Sequence, residues 1–383
     1  STLAGFPLSG GGGPIRFALH VRDGRVLAGT EIAAELHDAT LRAGSAVTQA
    51  SRAALSLVVP GNGGAASLRI EASDAVLRTP QGATGARLDL AALALEGKDL
   101  DLAAPDAPRL AAIDVRGGRI DDARNVFGAF RIAGAAVDGG HGAFALHLAG
   151  PPDQLSGWAR VSLSDARVRA ERLAIRTDVA IDAKVRELDP LRGGDLSGSE
   201  VRVDEARLAD AGEMDTAPGW WARISLDRAA LRLGNEGPLV DADFAARCRD
   251  ARPIVGMYVR RADLPGILSG LFAMEGLEVR GSAMVGNETV VLRDLGARGR
   301  GASIRAIYLA DVEEKRGAAL LTVGSISVGV GLADSNGGVH IFGPGDWYAS
   351  QERALRTEIP SPAPPPRARA ARASRARTAP RSP

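Results

Sequence analysis

The side chains able to do chemistry are few in this chain and stand far apart. Five histidines, His20, His37, His141, His147 and His340, each fall in or beside a predicted strand or turn. His141 and His147 are six positions apart, which on a strand puts both on one face. A metal would need further ligands, and no pair of carboxylates stands close by to supply them. There is no Gly-x-Ser-x-Gly, no His-Glu-x-x-His and no P-loop. GARGRGAS (296–303) has the glycines and arginines of a phosphate loop, but no hydrophobic strand feeds a helix on its far side, so it reads as a turn. NET (287–289) matches a glycosylation triplet, which arises by chance in most chains of this length.

Cys248 stands among arginines in AARCRDARP. Those charges favour a thiolate, yet no base is adjacent, and it reads as a structural thiol. As the single cysteine it excludes an intrachain disulfide and a cysteine-based zinc cage. Trp220 and Trp221 follow a Pro-Gly turn. Consecutive strand residues face opposite sides, so one is expected in the core and the other at an exposed rim. No catalytic residue, metal site or cofactor is assigned, and the chain is read as a non-enzyme.

The elements that would position these groups read in period two. ISLDRAALRLG (224–234), SISVGVGLAD (325–334) and DVAIDAKVREL (178–188) alternate apolar with polar or small residues, as half-buried strands do. ASRAALSLVV stays ambiguous between helix and strand, whereas GAALLTVGSISVGVGL (317–332) alternates and favours strand. Turn signals stand at RDGR (22–25), PGNGG (60–64), VDGGHG (137–142) and SNGG (335–338), the last a strong hairpin signal. Helical period is confined to DARNVFGAF (122–130) and DLPGILSGLF (263–272), the second with Asp263 as N-cap and Pro265 in its first turn. No run of 18 apolar residues spans a membrane.

Composition agrees with a β-dominated interior of small and aliphatic side chains. There are 69 alanines and 47 glycines, and aromatics are only 4%. The net charge of +1 hides an asymmetry: residues 1–358 carry −5, and the segment after Glu358 carries six arginines and no acid. IPSPAPPPRARAARASRARTAPRSP (359–383) has no large apolar residue after Ile359, so burial cannot offset its ordering entropy and it is expected to be disordered. Its arginines suit an anionic membrane surface; without aromatics among them, nucleic acid is not expected.

One irregularity recurs. In RVSLSDARVRAERLAIRT (160–177), Val161 and Leu163 share one parity while Ala166 and Val168 share the other. Written as apolar-x-apolar-x-x-small-x-apolar, this slip starts at Leu19, Ile113, Phe130, Val161, Val201, Ile224 and Leu277, with looser versions from Ala34, Ile70 and Leu88. Seven strict matches exceed the roughly two that chance supplies. An extra residue before a small one is what a β-bulge or corner needs, and it re-aims the strand so that both halves line the same side. The alternative is that one strand simply ends and another begins there.

The segments LSGSEVRVDEARL (196–208) and ISLDRAALRL (224–233), with the runs 250–309 and 315–351, resemble the AsmA-like superfamily of β-rich bacterial envelope proteins. Periodicity gives a mainly β protein with two or three short helices, and the resemblance implies a long curved sheet, β-taco or solenoid-like, with an apolar concave groove. The chain is divided accordingly into two β-rich regions, 1–194 and 195–351, the second with a short helix and closing hairpin, and composition makes 352–383 a disordered Pro/Ala/Arg-rich tail. The resemblance further implies a Gram-negative periplasmic protein, with an inner-membrane anchor upstream of Ser1, that carries phospholipid acyl chains between inner and outer membranes and has membrane proteins or an anionic membrane surface as partners. The groove candidates are Val161, Leu163, Val168, Val201, Val203, Leu208, Ile224, Leu226 and Leu231. The competing expectation is a β-solenoid or β-sandwich with a dry core, serving as an adhesin or an envelope-assembly scaffold. A polysaccharide-lyase-like solenoid is disfavoured by the scattered acids.

Overall fold

A computed structural model describes residues 2–3, 6–9, 12–22, 25–43, 46–60, 66–78, 84–97, 110–127, 135–170, 173–208, 219–234, 237–251, 275–286, 289–311, 314–333 and 338–359. The protein is mainly β. Short strands open it: β1 (Thr2–Leu3), β2 (Phe6–Ser9), β3 (Ile15–Ala18) and the hairpin β4 (Val21–Arg22) and β5 (Arg25–Val26). Long strands follow: β6 (Glu31–Ala43), β7 (Ala46–Val58), β8 (Ala66–Arg78), β9 (Thr84–Gly97) and β10 (Leu110–Ile120). After the short helix α1 (Ala123–Phe127) come β11 (Ala135–Gly150), β12 (Leu155–Ala170), β13 (Leu173–Asp189), β14 (Gly193–Asp195) and β15 (Glu200–Leu208). The carboxy-terminal part holds β16 (Ala222–Gly234), β17 (Gly237–Asp250), β18 (Glu275–Val285), β19 (Val290–Gly299), β20 (Ala302–Ala310), β21 (Lys315–Val323), β22 (Ile326–Ala333) and β23 (Val339–His340), then helix α2 (Pro344–Glu358). All but β4 and β5 belong to one 21-stranded sheet. From β6 onward nearly every strand pairs antiparallel with its neighbour in sequence; β15 reaches past the short β14 to pair with β13. Short reversals between adjacent strands are what allow an antiparallel meander to be built.

The parity slips have a physical form. Asp38, Asp74, Asp165, Glu205 and Asp294 all have φ between 47° and 55°, the left-handed region. Side chains other than glycine pay about 1–2 kcal/mol there, and aspartate is among the few residues that enter it routinely. In four cases the next residue is a buried alanine: Ala39, Ala75, Ala166 and Ala206. In β12, Ser164 and Asp165 together stand opposite the single Asp178, whose carboxylate accepts the Asp165 N–H at 2.9 Å. Leu163 and Ala166 then bury into one cluster with Val161, so both halves of β12 put their apolar residues on the same side. Related register shifts occur between Val115 and Gly118, between Leu226 and Arg228, and opposite Glu205–Ala206. The slip starting at Leu277 coincides with a shift between Arg280 and Ser282, but there the extra residues lie on β19.

Other expectations change. The match at Leu19 is the β4–β5 hairpin, not a bulge. VDGGHG is not a turn: it lies inside β11, where Gly140 takes φ 118° and an added Cβ would come within 2.8 Å of the Ala166 Cα, so the glycines let the strand bend past β12. The ambiguous stretch ASRAALSLVV (50–59) belongs, up to Val58, to strand β7. No break divides the sheet at 194/195, because that boundary falls inside β14, which bridges β13 and β16. GARGRGAS, expected as a turn, is mostly strand: Gly296–Gly299 end β19, and only Arg300 and Gly301, the latter at φ 74°, turn the chain into β20. Residues 317–332 are two strands, β21 and β22, joined at Gly324. β22 pairs with β23 around SNGG, most of which lies outside the described residues, as do Phe130, Ile132, the 263–272 helix and residues 360–383.

Residues 352–358, assigned above to the tail, are the second half of α2. Pro344 opens that helix and Asp346 stands in its first turn, both suited to a helix N-terminus. Tyr348 and Leu355, seven apart, pack with Ile307 and Ala318. Trp347 lies over Gly329, where any side chain would collide with the indole, and stacks on His340 at 4.2 Å. β20 and β21 are thereby covered on this side by α2 and on the other by the core around Leu321 and Val328. Burial on both faces explains the continuous apolar run of GAALL.

Candidate functional site

The largest core cluster gathers Trp220, Ala222, Cys248, Leu277, Val279, Leu321 and Val328 from strands far apart in sequence. Beside it lies a cavity of about 470 Å³. Val168, Ile175 and Val179 form one part of its wall; Val203, Ile224, Phe244 and Ala246 form the next. Leu295, Ile304, Tyr308, Leu321 and Leu332 continue it across the last strands. The alternation of each strand explains the uniformity: every second residue of β15 to β18 turns to this side, and the arginines between them turn away.

Among the described residues, none that lines the cavity carries a charge. The Thr177 and Trp220 donors are committed to backbone. Thr177 Oγ1 donates to the Asp204 carbonyl at 2.7 Å, and Trp220 Nε1 donates to the Asp250 carbonyl at 3.1 Å. Cys248 Sγ lies 3.9 Å from the Leu277 carbonyl, and burial, with help from the Asp250 charge, pushes its pKa up to about 11. The neighbouring arginines therefore do not activate this thiol. Trp220 is buried and Trp221 exposed, with the Arg223 guanidinium 5.7 Å from the Trp221 ring. An uncharged apolar lining whose Thr177 and Trp220 donors are already taken suits hydrocarbon better than a charged group.

Charged pairs on the same strands stand outside this lining. Arg228 donates twice to Asp243, at 2.7 and 3.1 Å, and Ser282 Oγ donates to the same carboxylate at 2.6 Å. The Arg228 guanidinium is the main cause holding the Asp243 carboxyl below its usual range; the Ser282 bond adds to it. Deeper in, Asp241 and Arg293 form a buried pair at 2.5 Å. Among the described residues no group of three metal-ligating side chains occurs; His147 Nδ1 lies 3.7 Å from Asp114.

Of the groove candidates, Val168, Val203 and Ile224 meet at this cavity. Val161 and Leu163 pack instead with Ile120 and Ala123 of the neighbouring cluster. Leu226 is opposite Phe244 and Leu231 opposite Val240 in the β16–β17 ladder, both half-buried and outside the cavity lining. Val201 is half-buried beside a second, polar depression. Leu208 pairs with Ile175, and its side chain lies outside the described residues. Sequence reading missed Phe244, Val279, Leu295, Ile304 and Leu332 as wall residues. Their alternation was visible, but the pairing that brings β13 to β22 around one space was not.

No protein-family model matches the chain, and no curated protein and no solved structure matches it.

Proposed function

We propose that this protein is a non-enzymatic carrier of lipid acyl chains in the bacterial cell envelope. The observation that carries the reading is the cavity of about 470 Å³ whose described wall residues are uncharged and whose Thr177 and Trp220 donors are already taken by backbone carbonyls. In this reading the line of left-handed acids folds the sheet into a curved trough, and the apolar inner side of that trough holds phospholipid tails while headgroups stay in water. The resemblance noted from sequence supplies the wider setting: a periplasmic location and passage of phospholipid between inner and outer membranes, with membrane proteins or the membrane surface as partners.

The test is organic extraction of the purified protein followed by mass spectrometry. Phospholipid in stoichiometric amount is expected, together with crosslinks to lipid from a photoreactive residue at Val203 or Ile224. A lipid-free extract and no crosslink would sink the reading and leave the dry-core scaffold.

A further inference from the structure

The outer face of the same strands carries a charge pattern that the cavity does not explain. In the ladder from β15 to β19, Arg202 stands opposite Arg223, Arg223 opposite Arg247, Arg247 opposite Glu278, and Glu278 opposite Arg298. Like charges placed directly opposite destabilise a sheet. Elsewhere the chain neutralises such a row: Arg167, Arg176 and Arg207 are also consecutive partners, but Asp165 pairs with the first two and Glu205 with the third. In the outer row Arg223 pairs with Asp204 at 2.7 Å and Arg247 with Glu278 at 2.9 Å, while Arg202 and Arg280 have no acidic partner among the described residues. These arginines do not lie on a flat surface. They line a depression of about 420 Å³, four arginines against Glu200 and Glu278.

We infer that this depression is a binding site for phosphate groups. Guanidinium forks pair with phosphate oxygens through two parallel N–H bonds, and a concave array allows several forks to meet one ligand. A bound anion would relieve the repulsion between Arg202 and Arg223 and give Arg280 a partner. The phosphate would come either free, as a diphosphate-sized ion, or on a lipid headgroup. The site lies on the face opposite the apolar cavity, so it stands or falls independently of what that cavity holds.

The test uses the full chain and two probes: inorganic pyrophosphate at constant ionic strength, and phosphatidylglycerol vesicles with phosphatidylcholine vesicles as control. Trp221 emission reports occupancy because Arg223 lies over its ring, and Trp221→Phe identifies that signal. Arg202→Gln combined with Arg280→Gln alters only exposed side chains and leaves the arginine tail in place. Saturable pyrophosphate binding that weakens about tenfold in the double variant assigns a free phosphate ligand. Vesicle flotation alone, weakened by the same variant, assigns a lipid headgroup. Wild-type affinity of the double variant for both probes, or no binding of either probe above a chloride control, overturns the inference.

Discussion

Ala246 is the most direct place to distinguish a lipid trough from a packed core. It lies between Ile224 and Val279 in the ladder, is half-buried and lines the cavity. Substituting phenylalanine adds a ring to that space. A buried ring removes on the order of 150 Å² from water. At about 25 cal/mol per Å² this is worth at most ~4 kcal/mol. Fixing the ring costs ~1 kcal/mol of side-chain entropy, and part of the ring stays exposed in an open trough. Ala246→Phe should therefore stabilise the lipid-free protein by about 1–2 kcal/mol. A core already packed to normal density would instead lose about 1–3 kcal/mol to overpacking. The sign of the change is the readout, taken from equilibrium urea denaturation of delipidated wild type and variant. In parallel, the lipid recovered by extraction should fall several-fold, because the ring occupies the volume of the chain it replaces. Destabilisation by 1 kcal/mol or more, with lipid content unchanged, would refute both the cavity and its assigned occupant.

Two further outcomes test the fold and the buried thiol. Because Asp165 sits at φ 55°, Asp165→Val should cost about 2 kcal/mol more than Asp165→Gly by urea midpoint, since both lose the pairs with Arg167 and Arg176 and only valine is strained there; the reverse order would remove the corner from β12. Burial raises the pKa of Cys248 to about 11, so its neutral thiol contributes stability that is whole below the ordinary thiol range and is lost as pH rises toward 11. Native protein at about pH 8 should resist thiol reagents until it unfolds, and Cys248→Ala should flatten the stability profile above about pH 9; modification of the native protein at the unfolded rate would show the thiol to be accessible.

Much of the architecture was legible in the chain because strands write their burial in period two. The alternation of 178–188 and 224–234 became β13 and β16, and the slip at Val161–Val168 became a bulge with Asp165 in the left-handed region. The looser matches from Ala34 and Ile70 mark strands with the same device at Asp38 and Asp74. An acid followed by a small residue was its local signature. Helix α2 was missed because only Tyr348 and Leu355 are fully buried on it, too thin a stripe to read as a period, although Pro344 and Asp346 marked its start.

The sequence by itself determined which residues alternate, where strands corner, and that the apolar set is uncharged and poor in aromatics. Those properties are local: they depend on side-chain type and backbone preference over a few positions. Only the tertiary structure decided which strands share a space and in what register. Val168 and Leu332 line one cavity although 164 positions separate them, and Arg202, Arg223 and Arg247 form one row although nothing in their spacing announces it. Register is set by the sum of ladder pairings, bulges and turn lengths along the whole meander, and a slip of one residue anywhere exchanges its two faces.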